Sequence, residues 1–428
     1  MCVEITKTLL ITIVVISLYV PHVFQQTLKA ELNPGCDNCP EDLNVLTVSY
    51  QEPHFSTHFV INSYSDRSVP SVFISSSRAN SSLQFNWPAI LNDSSTQPAV
   101  FLANSSFYGI LFTYLYKYND TLDVADLSKY TDGVSKISTN QCFWYLSDWD
   151  PKPNALGLLS VGLKCNDTRS VAVFGTHGHV ELRFTFSDKD QYSLDAPHVI
   201  LVGGLAVRIK VTIQRLSIAK RAGIPYAKTR WALGLALISN TTLLPNAQFA
   251  NSTSVSINDE PAPGTFKDVT IFLSNNSYMT WKSVCYVNES SAELKTSRAV
   301  TVSSQSLIDK NTKKLIVTRS FVPFIFGLDL PAIRAVNISF GDSGDGFYKA
   351  SKYIHWSVDL GLGAPPVVGL SGLVWMMIFM AGSVLVISFG LLILFVVLRF
   401  CRRWSTSSDN YEHALLTDPE HDAEDADV

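Results

Sequence analysis

One short run of residues, Gly341-Asp342-Ser343-Gly344, has the composition of a nucleophile motif. Trypsin-like serine proteases carry these four residue types around the serine that attacks the substrate. Such a serine needs a base within hydrogen-bond reach and a carboxylate that orients the base. A serine hydrolase that uses Ser343 is therefore one hypothesis for this chain.

The residues around Ser343 favour a turn over a catalytic site. The protease motif continues with a second glycine, where this chain has Asp345, and none of the nine histidines stands in an Ala-Ala-His-Cys context. A Gly-x-Ser-x-Gly elbow is also interrupted by Asp345. The preceding run, 336–340, alternates apolar and polar residues, which predicts a strand. We expect the glycines to supply positive φ angles and the aspartates and serine to bond local backbone, without a catalytic residue.

Two histidine pairs have spacings that could serve a metal site. They are His54 with His58, and His177 with His179. Neither pair has a cysteine or carboxylate cluster at zinc-like spacing beside it, so we interpret them as surface or loop histidines. The sequence contains no phosphate-binding loop or dinucleotide fingerprint, and we expect neither a metal nor a cofactor.

Two apolar segments predict how the chain meets a membrane. The run Leu9–Val20 is too short to span a bilayer and is typical of a signal peptide, which we place at residues 1–30 with cleavage after Ala30. The run Leu373–Leu398 is uncharged and long enough to span as a helix. The sequence therefore predicts a signal peptide and a single C-terminal transmembrane helix at 373–398.

Charges flanking the second apolar segment predict its orientation. Arg399, Arg402 and Arg403 follow it directly, so the positive-inside rule places residues 399–428 in the cytosol. Residues 31–365 would then be lumenal, as in a type I membrane protein. The tail is acidic and poor in apolar residues, and we expect it to be disordered. The net charge of −4 gives no indication of nucleic-acid binding.

Sugar acceptors support the lumenal assignment. Ten Asn-x-Ser/Thr acceptors occur, all between the two apolar segments, where chance predicts ~4. We therefore expect a heavily N-glycosylated ectodomain whose glycans mark solvent-facing backbone. The acceptors are Asn80, Asn92, Asn104, Asn119, Asn166, Asn240, Asn251, Asn275, Asn288 and Asn337.

Five cysteines fall in the predicted lumenal part, where disulfides are expected. We favour a Cys142–Cys165 pair, which closes a 22-residue loop. Cys36 and Cys39 form a CxxC motif whose flanking prolines favour a structural staple over redox chemistry. Because five is an odd number, Cys285 either joins one of these cysteines, stays reduced or pairs between chains.

The ectodomain has the sequence pattern of an all-β, sandwich-like fold. Residues 180–187 and 207–214 alternate apolar and polar side chains with period two, and long amphipathic helical patterns are scarce. Because about 335 residues exceed one ordinary sandwich, we expect two β-domains, 31–195 and 196–365. The boundary falls in Tyr192–His198.

The tail contains a candidate sorting signal. Tyr411, Glu412, Leu415 and Leu416 resemble endolysosomal sorting peptides, which adaptors read in an extended conformation. A tyrosine signal would need a bulky apolar residue where Ala414 stands, and a dileucine signal would need an acid in place of Tyr411. An acidic tail that no adaptor reads is the alternative.

Several motifs resemble the glycosylated lysosomal membrane protein family, and the chain is similar to an invertebrate member of it. The motifs are Ser82-Leu83-Gln84-Phe85-Asn86-Trp87, Ile257-Asn258-Asp259-Glu260-Pro261, the run Val336–Gly341, the run Ile354–Gly363 and Pro365-Pro366-Val367. They mark the family and are not known catalytic residues. The resemblance spans most of the ectodomain and the membrane anchor.

The resemblance implies a non-enzymatic type I lysosomal membrane protein with a dense glycan coat. It further implies an accessory role, since members bind a lysosomal major-facilitator transporter that exports dipeptides and shield it from lumenal proteases. Expected partners are thus a multi-span transporter and, through the tail, sorting adaptors. An endolysosomal or cell-surface receptor or adhesion protein is the alternative function, and a lumenal serine hydrolase that uses Ser343 is the second.

Two surfaces are candidates for contact with a membrane partner. One is the side of the ectodomain that lacks glycans, because sugars would obstruct close packing. The other is Tyr353–Gly363, where Ile354, Trp356, Val358 and Leu360 alternate as in a strand. Burial of these four side chains in the core is the interpretation that we favour.

Overall fold

The computed structural model describes most of the chain between Thr27 and Leu415. The described residues are 27–63, 68–92, 97–166, 178–192, 200–214, 228–239, 253–257, 264–274, 276–287, 297–298, 300–327, 332–347, 353–366 and 372–415. The chain divides into two compact units, Met1–Pro366 and Val367–Val428.

The described residues form twenty-three strands and four α-helices. In chain order the strands are β1 Thr27–Leu32, β2 Asn44–Gln51, β3 Phe55–Ser63, β4 Ser71–Arg78, β5 Gln84–Phe85, β6 Val100–Phe101, β7 Phe107–Asn119, β8 Ser135–Ser138, β9 Trp144–Ser147, β10 Leu158–Asn166, β11 His179–Ser187, β12 Gln191–Tyr192, β13 Ile200–Leu201, β14 Ala206–Gln214, β15 Thr229–Ser239, β16 Thr253–Ile257, β17 Gly264–Ser274, β18 Ser277–Lys282, β19 Cys285–Tyr286, β20 Ser297–Arg298, β21 Val300–Leu307, β22 Ala332–Phe340 and β23 Tyr353–Leu362. The helices are α1 Trp87–Leu91, α2 Lys310–Arg319, α3 Val322–Phe326 and α4 Gly372–Leu415.

Two large antiparallel sheets make up the first unit. The first sheet has nine strands in the order β1-β2-β3-β4-β7-β15-β22-β21, with β8 paired to β7. The second has ten strands in the order β16-β17-β18-β23-β14-β11-β10-β9, with β19 and β20 attached. The expected all-β, sandwich-like fold with one C-terminal apolar helix is confirmed.

The inward faces of the two sheets form one continuous core. On β11 the side chains of Val180, Leu182, Phe184 and Phe186 are buried, while the residues between them are half-buried and polar. Phe186 meets Phe59 of the first sheet edge-on, with ring centroids 4.9 Å apart. The period-two pattern therefore selects the face that each strand turns toward the other sheet.

Both sheets contain strands from both halves of the chain. β7 pairs with β15 in the first sheet, and β11 pairs with β14 in the second. The boundary predicted between residues 195 and 196 thus does not separate two units, and 31–365 lie within one unit. The physical reason is that a sandwich buries one face of each sheet against the other, whichever part of the chain supplies the strands.

A smaller core covers part of the outer face of the first sheet. The short helices α1, α2 and α3 supply Trp87, Ile316 and Phe324 to it. Asn86 caps α1, since its Oδ1 accepts from the Ala89 amide at 3.3 Å. Trp87 donates its indole N–H to the Pro34 carbonyl oxygen at 2.8 Å. The motif at 82–87 is thus a capped helix start that anchors an aromatic side chain.

The structure joins four of the cysteines in two disulfides. Cys142 and Cys165 are fully buried with Cα atoms 6.0 Å apart, and Cys36 and Cys39 are 5.7 Å apart. The CxxC pair lies between β1 and β2 and packs against the smaller core, as expected for a staple. Cys285 is buried on β19 and belongs to neither disulfide.

The predicted signal peptide lies mostly outside the described residues. Residues 27–30, however, belong to β1, which pairs with β2 from Thr27↔Gln51 to Leu32↔Leu46. Ala30 is buried in the main core. Cleavage after Ala30 would remove four residues of this strand, so the paired backbone favours a boundary before Thr27.

The second unit contains one long helix, α4. Within it, Val374–Ile393 is long and apolar enough to cross a membrane, with a mean hydropathy of 2.4. The helix continues to Leu415, so residues 399–415 are helical rather than disordered as expected. The apolar segment provides the helix nucleus, and no proline or glycine interrupts the chain between 399 and 415. Tyr411, Glu412 and Leu415 lie on this helix, and Leu416 lies outside the described residues.

We predict unequal effects of removing the two disulfides. Replacing Cys142 and Cys165 by serine should lower the free energy of unfolding by about 3 kcal/mol, because the bond closes a long loop. The Cys36–Cys39 bond closes a much shorter loop. The matched Cys36→Ser/Cys39→Ser variant should therefore lower the free energy of unfolding by about 2 kcal/mol or less. Denaturant unfolding measures both, and peptide mapping that links Cys285 to any of the four would contradict the pairing.

Candidate functional site

The nucleophile-like motif forms a turn directly after β22. Gly341, Gly344 and Gly346 have φ angles of 99°, 74° and 60°, a region that glycine occupies without strain. A Cβ atom at Gly341 would lie 2.0 Å from the Arg230 Nη1 atom. Ser343 is exposed at the tip of the turn. The glycines therefore serve backbone geometry and the approach of an arginine.

That arginine lies at the centre of a buried group of charges, here named the Arg230 cluster: Arg230, Asp120, Asp123 and Asp345. The Arg230 side chain is fully buried at the start of β15. Its Nε donates to Asp120 at 2.5 Å, and its Nη2 donates to Asp123 at 2.6 Å and to Asp345 at 3.2 Å. Its Nη1 donates to the Phe340 carbonyl oxygen at 3.1 Å. One guanidinium thus joins three carboxylates from two loops to the end of β22.

Asp120 receives additional donors that keep it ionised. The Tyr130 hydroxyl donates to it at 2.5 Å, and the Ala125 and Val124 amides donate at 3.0 and 3.1 Å. Burial alone would raise the pKa of Asp120, but these hydrogen bonds and the Arg230 charge hold it below its ordinary value. Because the pKa of Asp120 is lower in the folded chain than in the unfolded chain, its ionised carboxylate stabilises the fold at pH values above the ordinary Asp pKa of about 3.9. This stabilisation is lost as the pH falls through the lower pKa of the folded state.

The same group of charges raises the pKa of Arg230. Its burial would lower the pKa of the guanidinium, but the carboxylates of Asp345 and Asp120 raise it above its ordinary value. Arginine is charged at any physiological pH in either case. The pair of Arg230 and Asp120 is therefore ionised in mildly acidic as well as in neutral solution.

Backbone amides of the turn complete the cluster. The Gly344 amide donates to the Asp123 carbonyl oxygen at 2.7 Å, and the Gly346 amide donates to the Asp123 carboxylate at 3.2 Å. The Phe347 amide donates to Asp345 Oδ1 at 2.8 Å. The turn is therefore fastened to the loop after β7 at several points, and the excess negative charge is offset by N–H donors.

The turn shows how the nearby carboxylates are used. Asp345 accepts from Arg230, and Asp342 accepts from the Ser343 amide at 2.7 Å. The two buried histidines of the described strands bond other serines: His58 contacts Ser77, and His355 contacts Ser357, each at 3.1 Å. The geometry around Ser343 is that of a structural turn, in which the carboxylates bind an arginine and amides rather than a histidine.

The run 354–363 carries a second buried ion pair. Arg208 of β14 donates to both oxygens of Asp359 at 2.8 Å, opposite it in register on β23. Burial raises the pKa of Asp359, and the Arg208 charge only partly offsets that rise. Gly361 is needed because a Cβ there would lie 2.5 Å from the Tyr278 ring. Asp359 and Gly361 of this run thus have structural explanations on one face of the strand.

The other face of the same run lies in the core. Ile354, Trp356, Val358 and Leu360 are at most 1% exposed, and the Trp356 ring meets Trp281 edge-on at 5.6 Å. These four side chains fill the core, as the favoured interpretation had it, and do not form a free surface for a membrane partner.

Neither histidine pair forms a metal centre within the described residues. His54 is exposed before β3, whereas His58 is buried on it. His179 begins β11 half-buried, and His177 lies outside the described residues. Among the described residues, no group of three or more histidine, cysteine or carboxylate side chains is placed to hold a metal ion.

Six of the ten predicted sugar acceptors fall on described residues. Asn80, Asn92 and Asn104 are exposed, and Asn119 and Asn337 are half-buried. Asn166 ends β10, and its side chain is not among the described ones. Asn240, Asn251, Asn275 and Asn288 lie outside the described residues. The exposed acceptors are accessible to a glycan, and glycosylation of the ten remains a prediction.

Sequence reasoning missed the Arg230 cluster, although two signals were present. Arg230 interrupts the beginning of a strand whose next residues, 231–238, are apolar apart from one glycine. Asp120, Asp123 and Asp126 recur at intervals of three just after β7. A charged residue in an apolar strand needs an oppositely charged partner when it is buried, and so does a series of acidic residues after a strand. Only the fold shows that Arg230 and these aspartates are partners of each other.

We predict that Arg230→Met lowers the free energy of unfolding by about 3–5 kcal/mol, because it leaves buried carboxylates without their counter-charge. The matched control is Arg183→Met, which breaks partly exposed ion pairs with Asp148 and Glu181. That change should cost about 1 kcal/mol or less. Denaturant unfolding at pH 7 compares them, and equal losses would contradict the importance of the cluster.

We predict that His58 makes the fold less stable in acid. Burial lowers the pKa of His58 to about 4, so the unfolded chain takes up a proton near the ordinary value of 6.5 while the folded chain does not. The buried His58 therefore costs almost nothing at pH 7, and the free energy of unfolding falls by about 2 kcal/mol between pH 7 and pH 5. His58→Gln should remove this slope in pH-dependent unfolding.

The exposed His54→Gln variant is the control for that experiment and should leave the slope unchanged. An unaltered slope in His58→Gln would show that the acid sensitivity has another source.

One comparison with known proteins bears on the whole chain. A family model described as glycosylated lysosomal membrane protein matches residues 44–404. The match begins at β2, includes every strand except β1 together with the Arg230 cluster, and ends within α4 beyond the apolar span. These features agree with a lysosomal membrane glycoprotein that is anchored by a single apolar helix. The chain belongs to the glycosylated lysosomal membrane protein family.

Proposed function

We propose that this chain is a non-enzymatic accessory subunit of a multi-span lysosomal transporter of the major-facilitator type, one that carries dipeptides. In this role it binds the transporter and shields it from lumenal proteases. The observation that carries the proposal is the family match over residues 44–404, which gives a lysosomal membrane glycoprotein with one candidate span. A single anchor and a large β-rich unit suit a protein that covers a partner.

The proposed orientation places the N-terminal unit in the lumen and the C-terminus in the cytosol. Arg399, Arg402 and Arg403 follow the apolar span, which favours a cytosolic end. The sugar acceptors all precede the span, as lumenal glycosylation requires. Both signals support the same topology.

Resistance to proteolysis is the physical basis of shielding. Exposed acceptors at Asn80, Asn92 and Asn104 would carry sugars over loops around α1. The turn at 341–347 is tied down through the Arg230 cluster, so a protease cannot readily extend it into an active site. A unit with covered loops and fastened turns can remain intact beside a partner whose own loops are exposed.

The non-enzymatic part of the proposal rests on the motif that first indicated chemistry. Asp345 and Asp123 are both engaged by Arg230, and the glycines serve the turn. Ser343→Ala should therefore leave the transporter interaction and any associated transport unchanged.

Sorting to lysosomes is proposed to use the tail. Tyr411, Glu412 and Leu415 lie in the last turns of α4, whereas adaptors read extended peptides. Recognition therefore requires the end of this helix to unwind, which is the part of a helix that frays most easily.

Affinity purification of the full-length chain from lysosomal membranes, followed by mass spectrometry, tests the accessory role. We expect a multi-span transporter to co-purify with the wild-type chain and with Ser343→Ala. A control chain in which an unrelated glycosylated domain replaces residues 31–365, with the span and tail kept, should lose it. Deletion of the protein should also lower the amount of transporter in lysosomes.

Two results would contradict the proposal. One is the absence of any transporter from the wild-type purification together with unchanged transporter levels after deletion. The other is surface localisation of the chain, which would favour a receptor or adhesion protein.

A further inference from the structure

The Cys36–Cys39 disulfide lies in the loop between β1 and β2, whereas the other disulfide lies in the main core. Its two cysteines are half-buried, and the two residues between them are exposed. Cys142 and Cys165, by contrast, are fully buried. A dissolved thiol can therefore approach the first disulfide in the folded chain, but it reaches the second only after the sandwich opens.

The base of this loop is closed by hydrogen bonds that do not involve the disulfide. Asn33 Oδ1 accepts from the Val45 amide at 2.9 Å, and Asn33 Nδ2 donates to the Leu43 carbonyl oxygen at 2.8 Å. The Asn33 amide also donates to the Val45 carbonyl oxygen at 2.7 Å. One asparagine therefore joins the two sides of the loop at the point where β1 ends and β2 begins.

Inside this closed base, the disulfide constrains only the tip of the loop, residues 35–42. The two cysteines are three positions apart, and the stabilisation that a disulfide gives grows with the length of the loop it closes. The residue before the tip, Pro34, is held separately, because its carbonyl oxygen accepts from the Trp87 indole at 2.8 Å. Breaking the disulfide should therefore free the tip and leave the strands on either side in place.

The motif lacks the surroundings of a catalytic CxxC. Nucleophilic cysteines lie at helix N-termini or beside basic residues, which stabilise the thiolate. This pair lies between two strands, and residues 33–44 contain no lysine or arginine but do contain Asp37, Glu41 and Asp42. The pair is therefore suited to accept electrons from another thiol rather than to attack a substrate itself.

We propose that the Cys36–Cys39 disulfide is a reversible exchange site for small thiols and dithiols, and that its reduction releases the tip without unfolding the sandwich. A thiolate of the dithiol bonds to one sulfur, the bond between the two cysteines breaks, and the released sulfur takes up a proton. The second thiol of the dithiol then loses its proton, closes a disulfide within the reductant and releases the other cysteine as a thiol. The reductant loses two electrons and two protons, and the cysteine pair gains them. This inference does not depend on the accessory role.

Timed alkylation of the full-length wild-type chain tests whether the exposed pair is reduced first. The protein in detergent micelles is treated with dithiothreitol at neutral pH, samples are quenched with iodoacetamide, and each cysteine is followed by peptide mass spectrometry. We expect Cys36 and Cys39 to be alkylated at least about tenfold faster than Cys142 and Cys165, which serve as the internal control. Equal rates for the two pairs, or faster reduction of the buried pair, would overturn the proposal.

Amide hydrogen exchange tests whether the structural change stays local. After reduction, exchange should accelerate within residues 35–42 and stay slow at Val45, whose amide donates to Asn33, and oxidised glutathione should restore the original pattern. Asn33→Gly permits the backbone φ angle of 47° but removes the side chain, so reduction of this variant should accelerate exchange at Val45 as well. Acceleration throughout β2 in the wild type, or no recovery on reoxidation, would contradict a reversible exchange site. Because none of these readouts involves a transporter, they fail separately from the accessory role.

Discussion

The Arg230 guanidinium is the constraint around which one end of the first sheet is arranged. It is fully buried, and its partners come from the loop after β7 and the turn after β22, more than 200 residues apart. Taking one cation and three carboxylates out of water is unfavourable unless nearly every hydrogen-bonding position is filled. The amides of the turn and the Tyr130 hydroxyl fill those positions, so the two loops depend on each other for their conformation.

This dependence gives the glycine-rich motif a physical meaning. Positive φ angles at Gly341, Gly344 and Gly346 bring three amides toward Asp123 and Asp345. The similarity to a protease motif arises because both settings need a tight turn rich in glycine and short polar residues. In a lysosome, a turn whose charges stay paired in mild acid is more useful than an exposed, extended loop.

The sequence was sufficient to predict the strand pattern, the apolar helix and the cysteines that the structure pairs, because each depends on local periodicity or compartment. It was insufficient for the arrangement of strands, since β11 and β14 pair across the expected boundary for reasons of global packing. Arg230 and Asp120 were missed because 110 residues separate them. The helical tail at 399–415 was missed because composition describes an isolated segment, whereas this one continues a stable helix.

Amide hydrogen exchange of the wild-type chain at pH 5 tests the central claim most directly. The claim is that the Arg230 cluster fixes the 341–347 turn to the Asp123 loop. The account predicts that the Gly344 and Gly346 amides exchange as slowly as amides within β22, because Asp123 accepts from both. Exchange of these two amides at the rate of an exposed loop would contradict it.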